Sequence, residues 1–252
     1  MNIAILAAMD KEFALLHSQL LDFSDSVIVD STDAKCLSVK IDSHNIILVK
    51  CGVGKVNAAV TACKLLSSES SARPDIIIST GVGGGFGDGL NIGDVVIADR
   101  CAYHDVYCGS DVQYGQVMEL PLYYKSETLP AVAERFKEQK GGFPWGNVHV
   151  GLTVTGDWFV DSVAKAQDIT SHFPDALMVD MESAAVAQVC FLNNVQYGSI
   201  RMVSDMPLGG DNRRQYDNFW NEAPQWLAES TFMLIRDLIG YNSSLENKSN
   251  NK

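Results

Sequence analysis

Short apolar runs separated by amphipathic segments follow one another along most of this chain. Continuous apolar runs at residues 3–7 and 75–80 are typical of strands buried on both faces of a parallel sheet. After the first run, Phe13, Leu16 and Leu20 recur at helical spacing. Because strands and helices alternate without a break in composition, the pattern predicts one α/β domain around a large, mostly parallel or mixed sheet.

The same patterns predict the remaining elements. Further strands are expected at residues 27–29, 36–41, 45–49, 94–98, 148–155, 176–179 and 195–203, with a hairpin at 42–44. Further helices are expected at residues 55–66, 126–137, 161–169 and 216–239, the last one interrupted at Pro224, whereas residues 100–121 are expected to be irregular. The domain is expected to span residues 1–240, and the polar residues 241–252 are expected to form a disordered tail.

A glycine-rich run at residues 81–87 follows the predicted strand 75–80. It does not match the dinucleotide fingerprint G-x-G-x-x-G, because Phe86 occupies the last glycine position and no helix follows before the next strand. The run is predicted to be a turn whose backbone approaches a ligand closely.

Composition and charge exclude several classes of function. The net charge of −12 argues against a nucleic-acid-binding protein, which needs a basic face. No apolar run approaches the roughly 20 residues of a membrane span. The first residues already form a strand and do not resemble a signal peptide, and the six cysteines form no CxxC pair, so a cytoplasmic protein with reduced thiols is expected.

Other common catalytic signals are absent from the sequence. The pair His104-Asp105 has no second histidine at ligand spacing, and Ser183 does not lie in a G-x-S-x-G motif. Neither a metal nor another cofactor is therefore expected.

Three carboxylates and one arginine lie at or beside the carboxyl ends of predicted strands: Glu12, Glu182, Asp205 and Arg201. In a parallel sheet these ends share one edge, so the four side chains can converge there. Arg201 lies in an apolar strand and needs a carboxylate partner, for which Glu182 and Asp205 are the candidates. The group is either a structural ion-pair network or a site suited to a cationic transition state and an activated water, by analogy with glycoside cleavage.

Seven segments resemble, in order, the motifs of the bacterial 5'-methylthioadenosine/S-adenosylhomocysteine nucleosidases, which belong to the nucleoside phosphorylase/hydrolase superfamily. They are AMDKE (8–12), GVGKV (52–56), TGVGG (80–84), YHD (103–105), TGDWFV (155–160), VDME (179–182) and RMVSD (201–205). The resemblance covers most of residues 1–239. It implies a three-layer α/β sandwich with a central twisted mixed sheet, nucleoside phosphorylase-like, and a homodimer that binds a small-molecule nucleoside.

The resemblance also implies catalytic roles. Asp205, oriented by Ser204, would protonate adenine N7, and Glu12 would take a proton from the attacking water. Glu182 would bind the ribose hydroxyls as positive charge develops on the sugar, and Arg201 would position that water and Glu182.

Further substrate-binding positions follow from the same resemblance. Phe159 would stack on the purine, Val160 would read the purine edge through its backbone, and Met181 would contact the ribose. The full set of implied binding residues is Met9, Val53, Val82, Gly83, Phe159, Val160, Met181, Ser204 and Tyr216.

The chain departs from the family pattern at several positions. Val82 replaces a serine, Asp180 replaces a glutamate and Trp158 replaces a small residue. The segment at residues 106–113 is short and lacks most of the aromatic residues that a partner subunit lends to the pocket for the 5' substituent. The preferred 5' substituent therefore stays open.

Three alternatives remain at this point. A futalosine- or aminofutalosine-type nucleosidase shares the scaffold, and Arg213 or Arg214 could then meet an acidic 5' substituent. A purine nucleoside phosphorylase is disfavoured because Glu12 would repel phosphate. An inactive nucleoside-binding protein is disfavoured because all three carboxylates are present.

Overall fold

The computed structural model describes residues 1–22, 28–33, 35–41, 43–67 and 73–249. The strands are β1 (Asn2–Ala7), β2 (Ile28–Asp33), β3 (Cys36–Ile41), β4 (His44–Lys50), β5 (Ile76–Gly85), β6 (Val95–Tyr103), β7 (Tyr124–Lys125), β8 (Val148–Thr155), β9 (Ala176–Asp180) and β10 (Gln196–Asp205). The helices are α1 (Asp10–Asp22), α2 (Lys55–Leu66), α3 (Thr128–Lys140), α4 (Val163–His172), α5 (Ser183–Leu192), a short 3-10 helix (Pro207–Gly209), α6 (Asn212–Glu222) and α7 (Gln225–Ser249).

The strands form one mixed sheet that curls back on itself. In spatial order it runs β10, β6, β8, β9, β5, β1, β4, β3 and β2, and β7 pairs with β6. Because β10 also pairs with β5, the strands β5, β9, β8, β6 and β10 close into a ring. β5 lies at the centre, parallel to β1 and β10 and antiparallel to β9. The predicted mixed sheet is confirmed.

Helices cover both faces of this sheet. Successive residues of a strand point to opposite faces, and β1 follows this rule. Ile3 and Ile5 join the core on the side of α1, α3 and α7, whereas Ala4 and Leu6 join the core on the side of α2 and α5. The alanine-rich helix α5 is buried between the sheet and α2. This arrangement is the predicted three-layer α/β sandwich.

The glycine run belongs to a strand. β5 continues to Gly85 and pairs there with β9. A Cβ on Gly83 would lie 2.6 Å from the Val179 carbonyl oxygen, and a Cβ on Gly81 would lie 2.5 Å from Glu12 Oε1. The predicted turn is therefore wrong: the missing side chains let β9 and a buried carboxylate approach the backbone of β5.

The strand β6 is longer than predicted. It continues to Tyr103, because a bulge between Ala98 and Arg100 carries the chain past two charged residues before the buried residues resume. The prediction ended the strand at residue 98 because the charged residues Asp99 and Arg100 interrupt the apolar pattern.

The carboxyl-terminal helices also differ in their limits. α6 begins at Asn212, four residues before the predicted start, and the predicted break at Pro224 is confirmed between α6 and α7. α7 is described as far as Ser249, and the expected disordered tail at residues 241–252 stays a prediction. Residues 250–252, together with Val27 and Asp42 of the predicted strand and hairpin, lie outside the described residues.

Across the described ranges, no helix combines the length and apolar character needed to span a bilayer.

Candidate active site

A cavity of about 310 Å³ opens where β1, β5, β9 and β10 end. Every residue that the sequence predicts for the site lines it: Met9, Glu12, Val53, Val82, Gly83, Phe159, Val160, Met181, Glu182, Arg201, Ser204, Asp205 and Tyr216. The remaining lining residues are Ala8, Gly84, Trp158, Val179, Asp180 and Pro207. The carboxyl edge of the central strands therefore brings the predicted acidic, basic and apolar residues together.

Glu12 lies in the first turn of α1 and points back toward β1. Its Oε2 accepts hydrogen bonds from the backbone N–H groups of Ala8 (3.1 Å) and Met9 (2.9 Å), and its Oε1 accepts one from Val82 (3.1 Å). The side chain is 1% exposed. Burial raises the pKa of Glu12, although Arg201 and the three backbone donors act in the opposite direction. Glu12 is thus a buried carboxyl group that three backbone hydrogen bonds hold in one orientation on the cavity wall.

Arg201 is held by two carboxylates, and Asp205 is not one of them. Its Nε lies 2.8 Å from Asp180 Oδ2, and its Nη2 lies 3.2 Å from Glu182 Oε2. Nη2 also donates to Ser79 Oγ at 2.8 Å. The predicted pairing with Glu182 is confirmed and that with Asp205 is wrong, because the strand β10 places Arg201 beside the β9–α5 junction and Asp205 four residues further along.

Asp180 connects this ion pair to the start of α5. Its carboxylate accepts hydrogen bonds from the hydroxyls of Thr155 and Ser183 and from the Ser183 backbone N–H. Ser183 Oγ lies 2.8 Å from Ser199 Oγ and 3.4 Å from Arg201 Nε. These groups are all buried, so the guanidinium has one fixed orientation.

Glu182 faces the cavity from the end of β9. Its Oε1 accepts a hydrogen bond from the Gly54 backbone N–H at 2.9 Å. Gly54 has φ +96°, and a Cβ there would lie 2.9 Å from Asp157 Oδ1, so this turn before α2 requires glycine. Burial raises the pKa of Glu182 to about 7, although Arg201 lowers it, and the nearby Asp180 also raises it.

Asp205 lies in a different environment. Its Oδ1 is 2.7 Å from Ser204 Oγ, and its Oδ2 accepts a hydrogen bond from Asn212 Nδ2 at 3.0 Å. Within the described part of the chain, no lysine, arginine or histidine forms an ion pair with it. Burial raises its pKa, and only the two neutral donors oppose this shift. Asp205 is therefore a carboxyl group whose proton is favoured by burial and opposed by neutral donors alone.

Asn212 was not predicted, yet it joins two parts of the cavity. Its amide nitrogen donates to Asp205 Oδ2 and, at 2.7 Å, to the Val160 carbonyl oxygen. Asn212 is 2% exposed at the start of α6. Asparagine is common at helix starts, so Asn212 was an available signal for the start of α6. The prediction instead placed that start at residue 216. Asp180, Ser183 and Gly54 were also missed as site residues, because their contacts come from other elements.

Apolar and aromatic residues form the opposite wall. Phe159 and Tyr216 meet edge to face with ring centroids 5.5 Å apart, and the Tyr216 hydroxyl lies 3.5 Å from Met9 Sδ. Trp158 lines the same side and is 54% exposed. A flat apolar ligand can pack here while polar groups reach the acids.

Among the residues that the structure describes, no group of three or more histidine, cysteine or acidic side chains is arranged to hold a metal ion.

Fold and site define an α/β protein with a buried acidic ligand cavity at the carboxyl edge of a mixed sheet. The family model described as the phosphorylase superfamily matches residues 2–240. A relative from Geobacillus sp. (strain WCH70), named 5'-methylthioadenosine/S-adenosylhomocysteine nucleosidase, is 35% identical over 94% of this chain and 99% of its own length. A relative of the same name from Staphylococcus carnosus (strain TM300) is 32% identical over 94% of this chain and 100% of its own length.

Solved structures of nucleosidases of the same name are also similar to this chain. The nucleosidase of the same name from S. pneumoniae, solved with the transition-state inhibitor MT-ImmA, has a TM-score of 0.80 and 34% identity, covering 94% of this chain and 100% of that one. The enzyme from Neisseria meningitidis in complex with methylthio-immucillin-A has a TM-score of 0.79 and 30% identity, covering 94% and 98%. The chain therefore belongs to the 5'-methylthioadenosine/S-adenosylhomocysteine nucleosidase family of the phosphorylase superfamily.

Proposed function

We propose that the protein hydrolyses the N-glycosidic bond of 5'-methylthioadenosine and S-adenosylhomocysteine, releasing adenine and the 5-thio-substituted ribose. The observation that carries this proposal is the pair of buried carboxyl groups in one cavity with different surroundings. Asp205 has neutral donors only, whereas Glu12 accepts three backbone hydrogen bonds near a guanidinium. Such a difference suits one acid and one base.

Asp205 is the proposed acid. Protonation of adenine N7 converts the departing base into a neutral leaving group while the ribosyl oxocarbenium ion forms. Asn212 holds the Asp205 carboxyl and the Val160 backbone together, so the same side chain aligns the acid with the proposed purine-edge contact. Phe159 would stack on the base and the exposed Trp158 would shield it from water.

Glu12 and Glu182 are proposed to act on the sugar side. Glu12 would take a proton from the water that attacks the anomeric carbon, and its fixed hydrogen bonds keep the carboxylate aimed into the cavity. Glu182, with Met181, would bind the ribose hydroxyls, and its negative charge would stabilise the cationic sugar. Arg201 would orient Glu182 and the water through the contacts that it makes with Asp180 and Glu182.

Hydrolysis is favoured over phosphorolysis because Glu12 occupies the backbone N–H groups at the start of α1. An anion such as phosphate binds where free backbone N–H groups point outward from a helix start. Here Glu12 already accepts the N–H groups of Ala8 and Met9, and it adds a negative charge beside them. Water, which is neutral, fits this position better.

The 5' substituent is proposed to pass between Met9, Val53 and Tyr216. Val53, in the turn before α2, begins an apolar stripe that continues on α2 with Val56 and Val60, and these three side chains are 45%, 72% and 48% exposed. Such a stripe beside the cavity supports the expected homodimer, in which a second copy would cover this end of the substrate.

The test is adenine release from 5'-methylthioadenosine, S-adenosylhomocysteine and adenosine, in phosphate-free buffer and again with phosphate. Equal release with and without phosphate, together with free methylthioribose, is the expected result. Release that requires phosphate would identify a phosphorylase and remove the role of Glu12. If none of the three is cleaved, the same assay with futalosine and aminofutalosine tests the alternative nucleosidase.

A further inference from the structure

The cavity mouth carries an aromatic arc flanked by two cations. The arc consists of Phe159, Tyr216 and Trp220, with Tyr216 edge to face against each neighbour, at 5.5 and 6.1 Å between centroids. Lys11 Nζ lies 3.8 Å from the Trp220 ring centroid and 4.7 Å from that of Tyr216. The Arg213 guanidinium lies 5.8 Å from the Phe159 ring centroid. Both cations therefore sit on rings that line or border the cavity.

Lys11 differs from the other charged residues around this mouth. Arg213 pairs with Asp217 at 3.4 Å, Arg214 pairs with Asp211 at 3.8 Å, and Asp10 pairs with Lys50. In the described part of the chain, Lys11 forms no ion pair, and aromatic rings are its contacts. Its ammonium therefore lies over the Tyr216 and Trp220 rings without an ion-pair partner among the described residues.

The backbone explains why Lys11 lies there. Lys11 is in the first turn of α1, between the cavity-lining residues Met9 and Glu12. Glu12 turns inward, whereas the side chain of Lys11, one position earlier in the helix, turns outward onto the rings of α6. Burial lowers the pKa of Lys11, while Glu12 and Asp217 act in the opposite direction and Arg213 adds to the lowering. Lys11 is an exposed residue, and an arriving carboxylate would give its ammonium a counter-charge.

We infer that Lys11 is a specificity residue that selects nucleosides whose 5' substituent ends in a carboxylate. This inference rests on the proposed function, which places the 5' group between Met9 and Tyr216. A methylthio group ends inside that passage, whereas an amino-acid chain on the same sulfur continues out of it, toward the ring that Lys11 covers. Glu12 does not oppose the anion at the surface, because it is 1% exposed and its oxygens accept backbone hydrogen bonds.

The test compares matched 5'-thio-adenosines. S-adenosylhomocysteine is paired with its decarboxylated analogue, which keeps the thioether and the ammonium, and a 5'-carboxyethylthio-adenosine carries a carboxylate without an ammonium. Each is measured in wild type, Lys11→Met and Lys11→Arg, with Lys64→Met on the exposed face of α2 as control. The readouts are kcat/KM and the dissociation constant by calorimetry.

The expected result is a loss of selectivity in Lys11→Met. The ratio of kcat/KM for S-adenosylhomocysteine to that for its decarboxylated analogue falls about fivefold, in the range of a partly exposed charge pair. Lys11→Arg and Lys64→Met keep the wild-type ratio. The wild-type preference also weakens in high salt, because ions screen exposed charges.

Equal changes for all substrates in Lys11→Met would overturn the inference, since Lys11 would then act through Glu12. An unchanged ratio would overturn it as well. A loss for S-adenosylhomocysteine alone, with none for the carboxyethylthio compound, would assign the effect to the amino-acid geometry rather than to the carboxylate. If wild type binds these compounds but cleaves none, the proposed function fails while the dissociation constants still decide the role of Lys11.

Discussion

At the scale of single residues, the guanidinium of Arg201 reaches Asp180 and Glu182 and leaves Asp205 without a counter-charge. An aspartate beside an arginine is ionised at ordinary pH, because the cation favours the charged form. Asp205 instead has the neutral partners Ser204 and Asn212, and burial raises its pKa. The separation of Arg201 from Asp205 therefore favours the proposed role of Asp205 as the acid.

Replacement of this acid should separate binding from turnover. In Asp205→Asn the shape and the contacts with Ser204 and Asn212 can be kept, but no proton is available for the base. We expect kcat to fall by about 10²–10⁴-fold, the usual contribution of a general acid, with little change in the dissociation constant of 5'-methylthioadenosine. Adenine release and calorimetry measure the two quantities.

Asp22→Asn, at the exposed end of α1, is the matched control and should behave as wild type. Turnover at the wild-type rate in Asp205→Asn would remove Asp205 as the acid.

The raised pKa of Glu182 predicts a pH dependence. Glu182 stabilises the cationic sugar only when it is ionised, and its pKa is about 7. Activity should therefore increase as pH rises through that value. The raised pKa of Asp205 keeps its proton to higher pH than in an ordinary aspartate, and the proposed acid role requires that proton.

A profile of kcat/KM from about pH 5 to 9 measures this rise. The rise centred near pH 7 should be lost in Glu182→Gln, whereas the requirement for an ionised Glu12, whose pKa burial also raises, stays. A profile that stays level through pH 7 in the wild type would contradict the assignment to Glu182.

At the scale of elements, the strand β5 is the part on which the site depends. Its glycines let β9, β10 and the Glu12 side chain approach its backbone, and its position between β1 and β10 aligns the edges that carry Glu12 and Asp205. The ends of parallel strands converge for this topological reason, and the antiparallel β9 brings Asp180 and Glu182 from the other direction.

A side chain at Gly83 should disrupt this arrangement. In Gly83→Ala the new Cβ would lie 2.6 Å from the Val179 carbonyl oxygen, a backbone atom that cannot turn away. We expect a loss of about 1–3 kcal/mol in the free energy of unfolding, the usual cost of overpacking, together with lower activity. Denaturant unfolding measures the change.

Gly240→Ala in the helix α7 provides a control of opposite sign. Its Cβ would meet only Arg135 Nη2, at 3.8 Å. Alanine in a helix stabilises by about 0.5–1 kcal/mol relative to glycine. Equal stability of Gly83→Ala and wild type would mean that β9 can shift, and that the glycine is not needed for the pairing.

At the scale of the whole molecule, the apolar stripe of α2 predicts that a second copy covers the mouth of the cavity. Val56 projects 72% exposed from α2 and is the centre of the apolar stripe. Val56→Asp should convert the expected homodimer into a monomer of 27.5 kDa, because a buried unpaired carboxylate is costly at an apolar interface. Light scattering across a concentration series measures the mass.

Loss of the dimer should raise KM for 5'-methylthioadenosine more than it lowers kcat, since the proposed catalytic carboxylates all lie within one chain. Val163→Asp, at the start of α4 where the valine is 37% exposed, is the control. A wild-type protein that is monomeric at all concentrations would contradict the dimer.

The sequence by itself determined the order of most strands and helices, the mixed α/β class and the placement of Glu12, Glu182, Asp205 and Arg201 at strand ends, whereas the other predicted cavity residues followed from the family resemblance. Apolar periodicity reports burial, and residues at the carboxyl ends of parallel strands share one edge. Local signals also determined the helix break at Pro224.

Only the tertiary structure decided how the charged groups are partnered. The ring formed by β5, β9, β8, β6 and β10 places Asp180 rather than Asp205 against Arg201, and the start of α6 brings Asn212 to Asp205. The strand role of Gly83 likewise depends on β9, which lies more than ninety residues away in the chain. These contacts join distant segments, and neither local propensity nor periodicity carries information about which segments meet.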